Sequence, residues 1–221
     1  FVADSIFDVH HNKQAAYSDF AILYRTNSQS RAFEEQLRKR NLPFRIFGGL
    51  SFFQRKEVKD LLAYYRLTAN SADDESLKRI VNYPARGIGK TTIDRVAAAA
   101  GTRDISLWDV LTDEEMRPDG IAKGAWGKLQ DFVSMIRSFS ASMAKQNAFD
   151  LGQHIAMHTG LLGTLHRDKT PEGVARYENV QELLAGIKSF SSEPVEDDPE
   201  AVKTLVDYLI DVALLTDVEQ E

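Results

Sequence analysis

Cysteine is absent from this 221-residue sequence, which excludes disulfide bonds and thiolate metal sites. Because stable disulfides are typical of oxidising compartments, their absence favours a reducing one, and we expect a cytoplasmic protein. No apolar run approaches the roughly 18 residues of a membrane-spanning helix, and no signal peptide is visible. These absences lead us to expect a protein with no membrane partner.

The sequence also lacks the pattern of a complete catalytic or metal site. His154 and His158 are spaced like a helical metal pair, but the glutamate of a zinc-hydrolase motif does not lie between them and no third ligand is suggested. No Gly-x-Ser-x-Gly nucleophile motif is present. The densest acidic run, 196–198, lies between two prolines, which favours a solvated loop. We therefore expect neither a catalytic residue nor a bound metal.

Charge is distributed unevenly along the chain. The net charge of −6 argues by itself against a nucleic-acid partner. Residues 17–103, however, carry a net charge of +7, whereas residues 104–221 carry −12. Such asymmetry predicts one surface that faces a polyanion and an acidic, solvated remainder.

Hydrophobic patterning predicts a mostly helical chain with a small α/β segment near its start. Residues 20–24 form a continuous apolar run that suits a buried parallel strand. An amphipathic helix follows, and the alternation at 44–47 indicates a second strand. Only helical patterns come after it, interrupted by a glycine-rich loop at 113–127, and Pro171 fits the first turn of a helix. No internal repeat is evident.

The turn Arg86-Gly87-Ile88-Gly89-Lys90-Thr91-Thr92 joins two of these helical patterns. Two glycines, flanking cations and hydroxyls at a helix start can present backbone N–H groups to a phosphate. A nucleotide-binding P-loop is disfavoured, because Pro84 stands where that motif needs glycine and a helix precedes the turn in place of a strand. A helix–hairpin–helix turn that grips a DNA backbone and a glycine-rich turn with incidental charges remain open on spacing alone.

A second polar segment follows the first predicted strand. Arg25 can pair with a phosphate, and Asn27 can hydrogen-bond a phosphate, sugar or base at the carboxyl end of that strand. Asn27 can equally cap the next helix. Further along, Lys59 is one of three cations at a helix start, preceded by two phenylalanines that we assign to core packing in preference to base stacking.

Several segments occur in an order and spacing that a known family shares. Residues 23–31, LYRTNSQSR, with the glutamates at 34 and 35, are similar to the LYRTNxQSRxxEE segment of UvrD/PcrA/Rep-type superfamily 1 DNA helicases. The resemblance continues with PFRI, GG, FF and EVKD in residues 43–60 and with Asn82, Pro84 and the GIG turn. The order holds from residue 20 to about residue 92. A later helix also matches, through Arg176, Glu178, Asn179, Glu182 and Leu183.

The resemblance implies a piece of such a helicase. This expectation agrees with a chain that starts at Phe1, without methionine and partway into a helical pattern. Residues 1–49 are expected to be a partial RecA-like 2A segment, residues 50–215 the helical 2B domain, and residues 216–221 the start of the return to 2A. The fold class is therefore α+β and mostly α, with a helix–hairpin–helix-like GIG turn. ATP and Mg belong to the intact parent; no cofactor is expected in this chain, which lacks the Walker motifs.

The same resemblance implies the binding residues and partners. Arg25 and Asn27 fall where the family contacts single-stranded DNA, and Lys59 falls on a further DNA-contacting position. Gly87, Ile88, Gly89 and Thr92 fall on the turn that holds the duplex backbone, whereas Arg86 and Lys90 are included for their charge. The expected partners are DNA and the remaining motor domains. A helical module that docks partner proteins is the alternative.

Overall fold

A computed structural model describes residues 1–12, 15–25, 29–46, 50–194 and 201–217. These residues form helices joined by short connections, with bounds α1 Val2–Asn12, α2 Ser30–Lys39, α3 Lys56–Ala69, α4 Asp74–Ile80, α5 Lys90–Arg103, α6 Leu107–Thr112, α7 Lys123–Ser142, α8 Ala148–His158, α9 Leu161–Arg167, α10 Pro171–Ser192 and α11 Leu205–Asp217. Short 3-10 turns lie at Tyr17–Asp19, Phe52–Gln54 and Glu114–Met116. None of the helices in these ranges combines the length and apolarity that crossing a bilayer requires.

Helix α3 is the centre of the fold. It packs against α4, α7, α8, α10 and α11, and most of its side chains are buried. Its buried aliphatic residues, such as Leu61 and Leu62, join one continuous core with side chains from α4 to α11. The fully buried Tyr65 donates its hydroxyl to the Gly152 carbonyl at 3.0 Å, so its polar end is satisfied within the core. Burial of α3 on nearly every side makes it the scaffold on which the other helices are placed.

Several helices begin at side-chain caps that the sequence supplies. Thr170 accepts a hydrogen bond from Gly173 N–H, and Pro171 occupies the first turn of α10, which confirms its expected position. Asp73 caps α4 in the same way. The loop expected over 113–127 is shorter than predicted, because α7 already begins at Lys123.

The two predicted strands are wrong for the residues that the structure describes. No strand is assigned to residues 20–24, to residues 44–46 or to any other described residue. A strand requires a neighbouring backbone to pair with, and the described residues provide none for either segment. A cleft of about 800 Å³ lies along both segments, lined by apolar side chains that include Phe33 and Leu37 of α2. Residues 47–49, which close the second predicted strand, lie outside the described ranges.

Buried charged groups join α2 to the helical body. Arg55 donates to Asn179 Oδ1 at 2.8 Å and to Ser30 Oγ at 2.9 Å. Asn179 in turn donates to Glu57 Oε1 at 2.5 Å. Glu34 of α2 accepts hydrogen bonds from the backbone N–H of Phe52 at 3.1 Å.

A second set of contacts continues this junction through Arg31 of α2. Its guanidinium pairs with Glu35 at 2.5 Å and with Glu182 of α10 at 3.2 Å. Several of the residues that carry the family resemblance in residues 30–57 and 176–182 thus lie at this junction. Their role in the structure is to fix α2 against α3 and α10.

Candidate nucleic-acid interface

The turn between α4 and α5 has the backbone geometry of a tight helix–turn–helix connection. Gly87 has φ +69°, a left-handed conformation that glycine adopts readily. Ile88 is 1% exposed and anchors the turn in the core. Gly89 is the extended residue before α5, and no side chain caps the helix there. The buried Ile88 side chain therefore fixes the turn to the core, while Gly87 and Gly89 on either side of it are exposed.

Asn82 organises this turn from within. Its side-chain Oδ1 accepts hydrogen bonds from the backbone N–H groups of Arg86 at 2.9 Å and Ile88 at 3.1 Å. Asn82 is one of the residues through which the sequence resembles the helicase family. Its amide oxygen thus accepts from two backbone donors of the turn, which fixes the path of the backbone through Gly87 before any ligand arrives.

The outward donors lie at the start of α5. The backbone N–H groups of Gly89, Lys90 and Thr91 have no acceptor among the described residues, whereas Thr92 N–H donates to Gly89 O at 3.0 Å. Unpaired N–H groups at a helix start carry a partial positive charge. The exposed Lys90 adds a full charge at the same place. Chemically, this arrangement suits a phosphate or another oxyanion.

Arg86 points into the protein. Its guanidinium donates to Tyr64 Oη at 2.7 Å and to the carbonyls of Ile80 at 3.1 Å, Pro84 at 3.2 Å and Thr159 at 3.2 Å. Burial raises the pKa of Tyr64 to about 12, although the neighbouring Arg86 acts in the opposite direction, so the hydroxyl stays protonated. Arg86 thus supports the turn by joining α3, α4 and the end of α8.

Lys128 is a cation at the turn that sequence reasoning missed. It lies on α7, and its Nζ donates to the Gly87 carbonyl oxygen at 3.2 Å. A Cβ added to Gly87 would lie 2.6 Å from that Nζ, so a larger residue here would displace the end of the lysine side chain, and the positive φ favours glycine. The two residues are 41 positions apart in the sequence, and no local pattern links them.

The other predicted binding residues are separate from the turn. Arg25 is exposed directly after residues 20–24, and its backbone N–H donates to Gln29 Oε1 at 2.9 Å. Lys59 is half-buried on α3. Within the described ranges, no hydrogen bond or ion pair joins either side chain to the turn. Asn27 lies outside those ranges.

The histidine pair forms a stacked contact in α8. The rings of His154 and His158 are 4.0 Å apart, and His158 Nδ1 lies 2.9 Å from the His154 carbonyl oxygen. Burial lowers the pKa of His154, and His158 adds to that effect. In the part of the chain that the structure describes, no group of three or more metal-ligating side chains converges.

Comparison with known proteins identifies the family. The UvrD-like helicase C-terminal domain family matches residues 1–221. An ATP-dependent DNA helicase PcrA from Bacillus subtilis (strain 168) is 38% identical over 220 residues, which cover 100% of this chain and 29% of that protein. The PcrA of Leuconostoc citreum is 34% identical over 219 residues, covering 99% of this chain and 29% of the relative.

A PcrA from Staphylococcus aureus (strain Mu50 / ATCC 700699) is also similar, with 34% identity over 211 residues that cover 96% of this chain and 28% of the relative. This chain belongs to the UvrD-like helicase C-terminal domain family, which confirms the resemblance seen in its motifs. It spans about three-tenths of the length of the curated relatives it matches.

Proposed function

We propose that this chain is the 2B domain, with part of domain 2A, of an ATP-dependent DNA helicase, and that it holds duplex DNA through the turn at 86–92. The observation that carries the proposal is the set of outward N–H groups at Gly89, Lys90 and Thr91, without acceptors among the described residues. The relatives are named as ATP-dependent DNA helicases, which supports DNA as the nucleic acid.

The grip is built from backbone atoms and charge. Gly87 and Gly89 allow a DNA backbone to approach closely, and Ile88 anchors the turn beneath it. Lys90 supplies the outward charge and Thr92 a further hydroxyl, while Arg86 supports the turn from inside. Contacts of this kind read phosphates and not bases, so binding is independent of sequence and weakens with salt.

The remaining partners follow from the family. Arg25 and Asn27 contact single-stranded DNA on the 2A side, away from the turn, and Lys59 is a further DNA contact. The motor domains of the intact enzyme bind ATP and Mg and dock against this chain, which swings between open and closed positions. This chain by itself hydrolyses no ATP. It has a regulatory role in the intact enzyme and positions the duplex for the motor domains, which lie outside this chain.

A protein-interaction module is the second candidate, and one observation favours it. On α11, Val206, Ile210 and Leu214 recur at intervals of four residues, and all three are exposed. Residues 104–221, which include α11, are acidic overall, so polar and charged residues accompany these apolar side chains. This candidate predicts capture of a protein partner together with no affinity for duplex DNA, and the second result separates it from the first candidate.

Lys90→Glu tests the proposed grip by reversing one charge at the turn. We expect weaker binding to a blunt duplex at low salt and a slope of log K against log salt that is shallower by about 1. Fluorescence anisotropy with a labelled duplex measures both quantities. Lys145→Glu is the matched control, since Lys145 is exposed beyond the end of α7 and should lose only long-range attraction. Equal affinities and slopes for the two variants would remove Lys90 from the interface.

A further inference from the structure

The turn at α5 has a structural copy 33 residues further along the chain. Gly120 has φ +76°, Ile121 is 4% exposed, and Ala122, with φ −59° and ψ 144°, directly precedes α7, again with no side-chain cap. Helix α7 starts at Lys123. The order Gly, Ile, cap residue, Lys is that of residues 87–90.

The hydrogen bonds behind the two turns also correspond. Gly89 O accepts from Thr92 N–H and Ile93 N–H at 3.0 and 3.4 Å. Ala122 O accepts from Ala125 N–H and Trp126 N–H, both at 3.0 Å. Equivalent core positions are buried in both helices, in pairs 33 residues apart: Val96 with Leu129, and Ala100 with Val133.

Two cations link the turn before α5 and the turn before α7 in a reciprocal way. Lys128 of α7 donates to the carbonyl of Gly87, and Arg95 of α5 donates to the carbonyl of Gly120. Each cation lies six residues after the cap residue of its own helix. Each turn with its following helix therefore makes the same contact to the other, which is the pattern expected if the two are related by an approximate two-fold axis.

The surface that surrounds both turns is basic. In residues 86–95 and 119–128, four exposed cations stand against two exposed carboxylates, those of Asp94 and Asp119. The inward Arg86 is not among the four. The exposed cations are Lys90, Arg95, Lys123 and Lys128. Two of them come from the segment whose overall charge is acidic.

We propose that the two turns form one docking surface for duplex DNA, in which the turn at 87–90 holds one strand and the turn at 120–123 holds the other. The two strands of a duplex run antiparallel and are related by local two-fold axes, so a pair of equivalent turns matches them. A single-stranded polyanion has no such symmetry. The inference rests on the proposed function and assigns Lys123, Arg95 and Lys128 to the DNA-facing surface.

Charge reversal separates the inference from the proposed function. We expect Lys123→Glu to weaken duplex binding about as much as Lys90→Glu, roughly three- to tenfold at low salt, with a slope shallower by about 1. Lys145→Glu is again the control. If Lys90→Glu weakens binding while Lys123→Glu matches the control, the two-turn surface is overturned and the single grip stands. If neither variant differs from the control, both proposals fail.

The absence of cysteine permits a positional test in the intact chain. Lys90→Cys and Lys123→Cys each introduce a single thiol, which can react with a duplex bearing a disulfide tether on one backbone phosphate. We expect both variants to crosslink, each preferring a different strand of the same duplex. Lys145→Cys should give only background. Crosslinking by Lys90→Cys alone would overturn the inference, as would a preference of both thiols for one strand.

Discussion

Replacing Arg55 by methionine is expected to lower the free energy of unfolding by about 3–5 kcal/mol, the cost of removing one partner from a buried charged network. Arg55 is 8% exposed and donates hydrogen bonds to Ser30 and Asn179. Asn179 in turn donates to Glu57. Methionine keeps much of the volume but donates no hydrogen bond. The buried Glu57 and the Asn179 oxygen then lose the cation that compensates them, and urea denaturation followed by circular dichroism measures the loss.

Arg137→Met is the matched control for this variant. Arg137 is exposed on α7, so the same substitution there should change stability by no more than about 0.5 kcal/mol. Similar stabilities of the Arg55 and Arg137 variants would contradict the junction described here. The family motifs at 30–57 would then need another explanation than the fixing of α2 to the helical body.

Gly87→Val is expected to reduce duplex affinity by about tenfold or more. A β-branched residue at φ +69° carries a strain of roughly 1–3 kcal/mol, and each 1.4 kcal/mol is a factor of about ten. The new Cβ would also lie 2.6 Å from Lys128 Nζ, so the end of that side chain must shift. Both effects move the N–H groups of Gly89 and Lys90 away from the position that receives a phosphate. Anisotropy titration at low salt measures the change.

Gly101→Val, near the end of the helix α5 that follows the turn, provides the control. A Cβ at Gly101 meets no atom within 4 Å, so valine fits there without displacing the turn. Thermal melts of both variants establish that each remains folded under the binding conditions. A folded Gly87→Val chain that binds duplex as tightly as Gly101→Val would show that the turn is only a connection between helices.

Sequence periodicity predicted the helices well because most of them bury one continuous face. It was wrong about strands at 20–24 and 44–46, since a strand needs a partner backbone as well as suitable residues of its own. Asn27, the residue with both a capping and a binding interpretation, lies outside the described residues. Its role therefore stays a prediction.

The candidate site shows a similar division. The glycines and Lys90 could be found from local spacing, because a turn is a local structure. Arg86 was expected to supply outward charge, yet its partners include Thr159, which is 73 residues away and invisible to local patterns. The second turn shares only glycine, isoleucine and lysine with the first, too few identities to register as a repeat. Lys123 and Lys128 lie in residues 104–221, whose net charge is −12, so segment charge did not indicate a basic surface there.

Backbone amide chemical shifts of the ¹⁵N-labelled chain, titrated with a short duplex at low salt, test the central claim most directly. If the turn holds the DNA backbone, the largest shift changes fall on Gly89, Lys90 and Thr91, and they diminish as salt is added. Shift changes confined to other surfaces, such as the exposed face of α11, would contradict the account, and so would a spectrum that the duplex leaves unchanged.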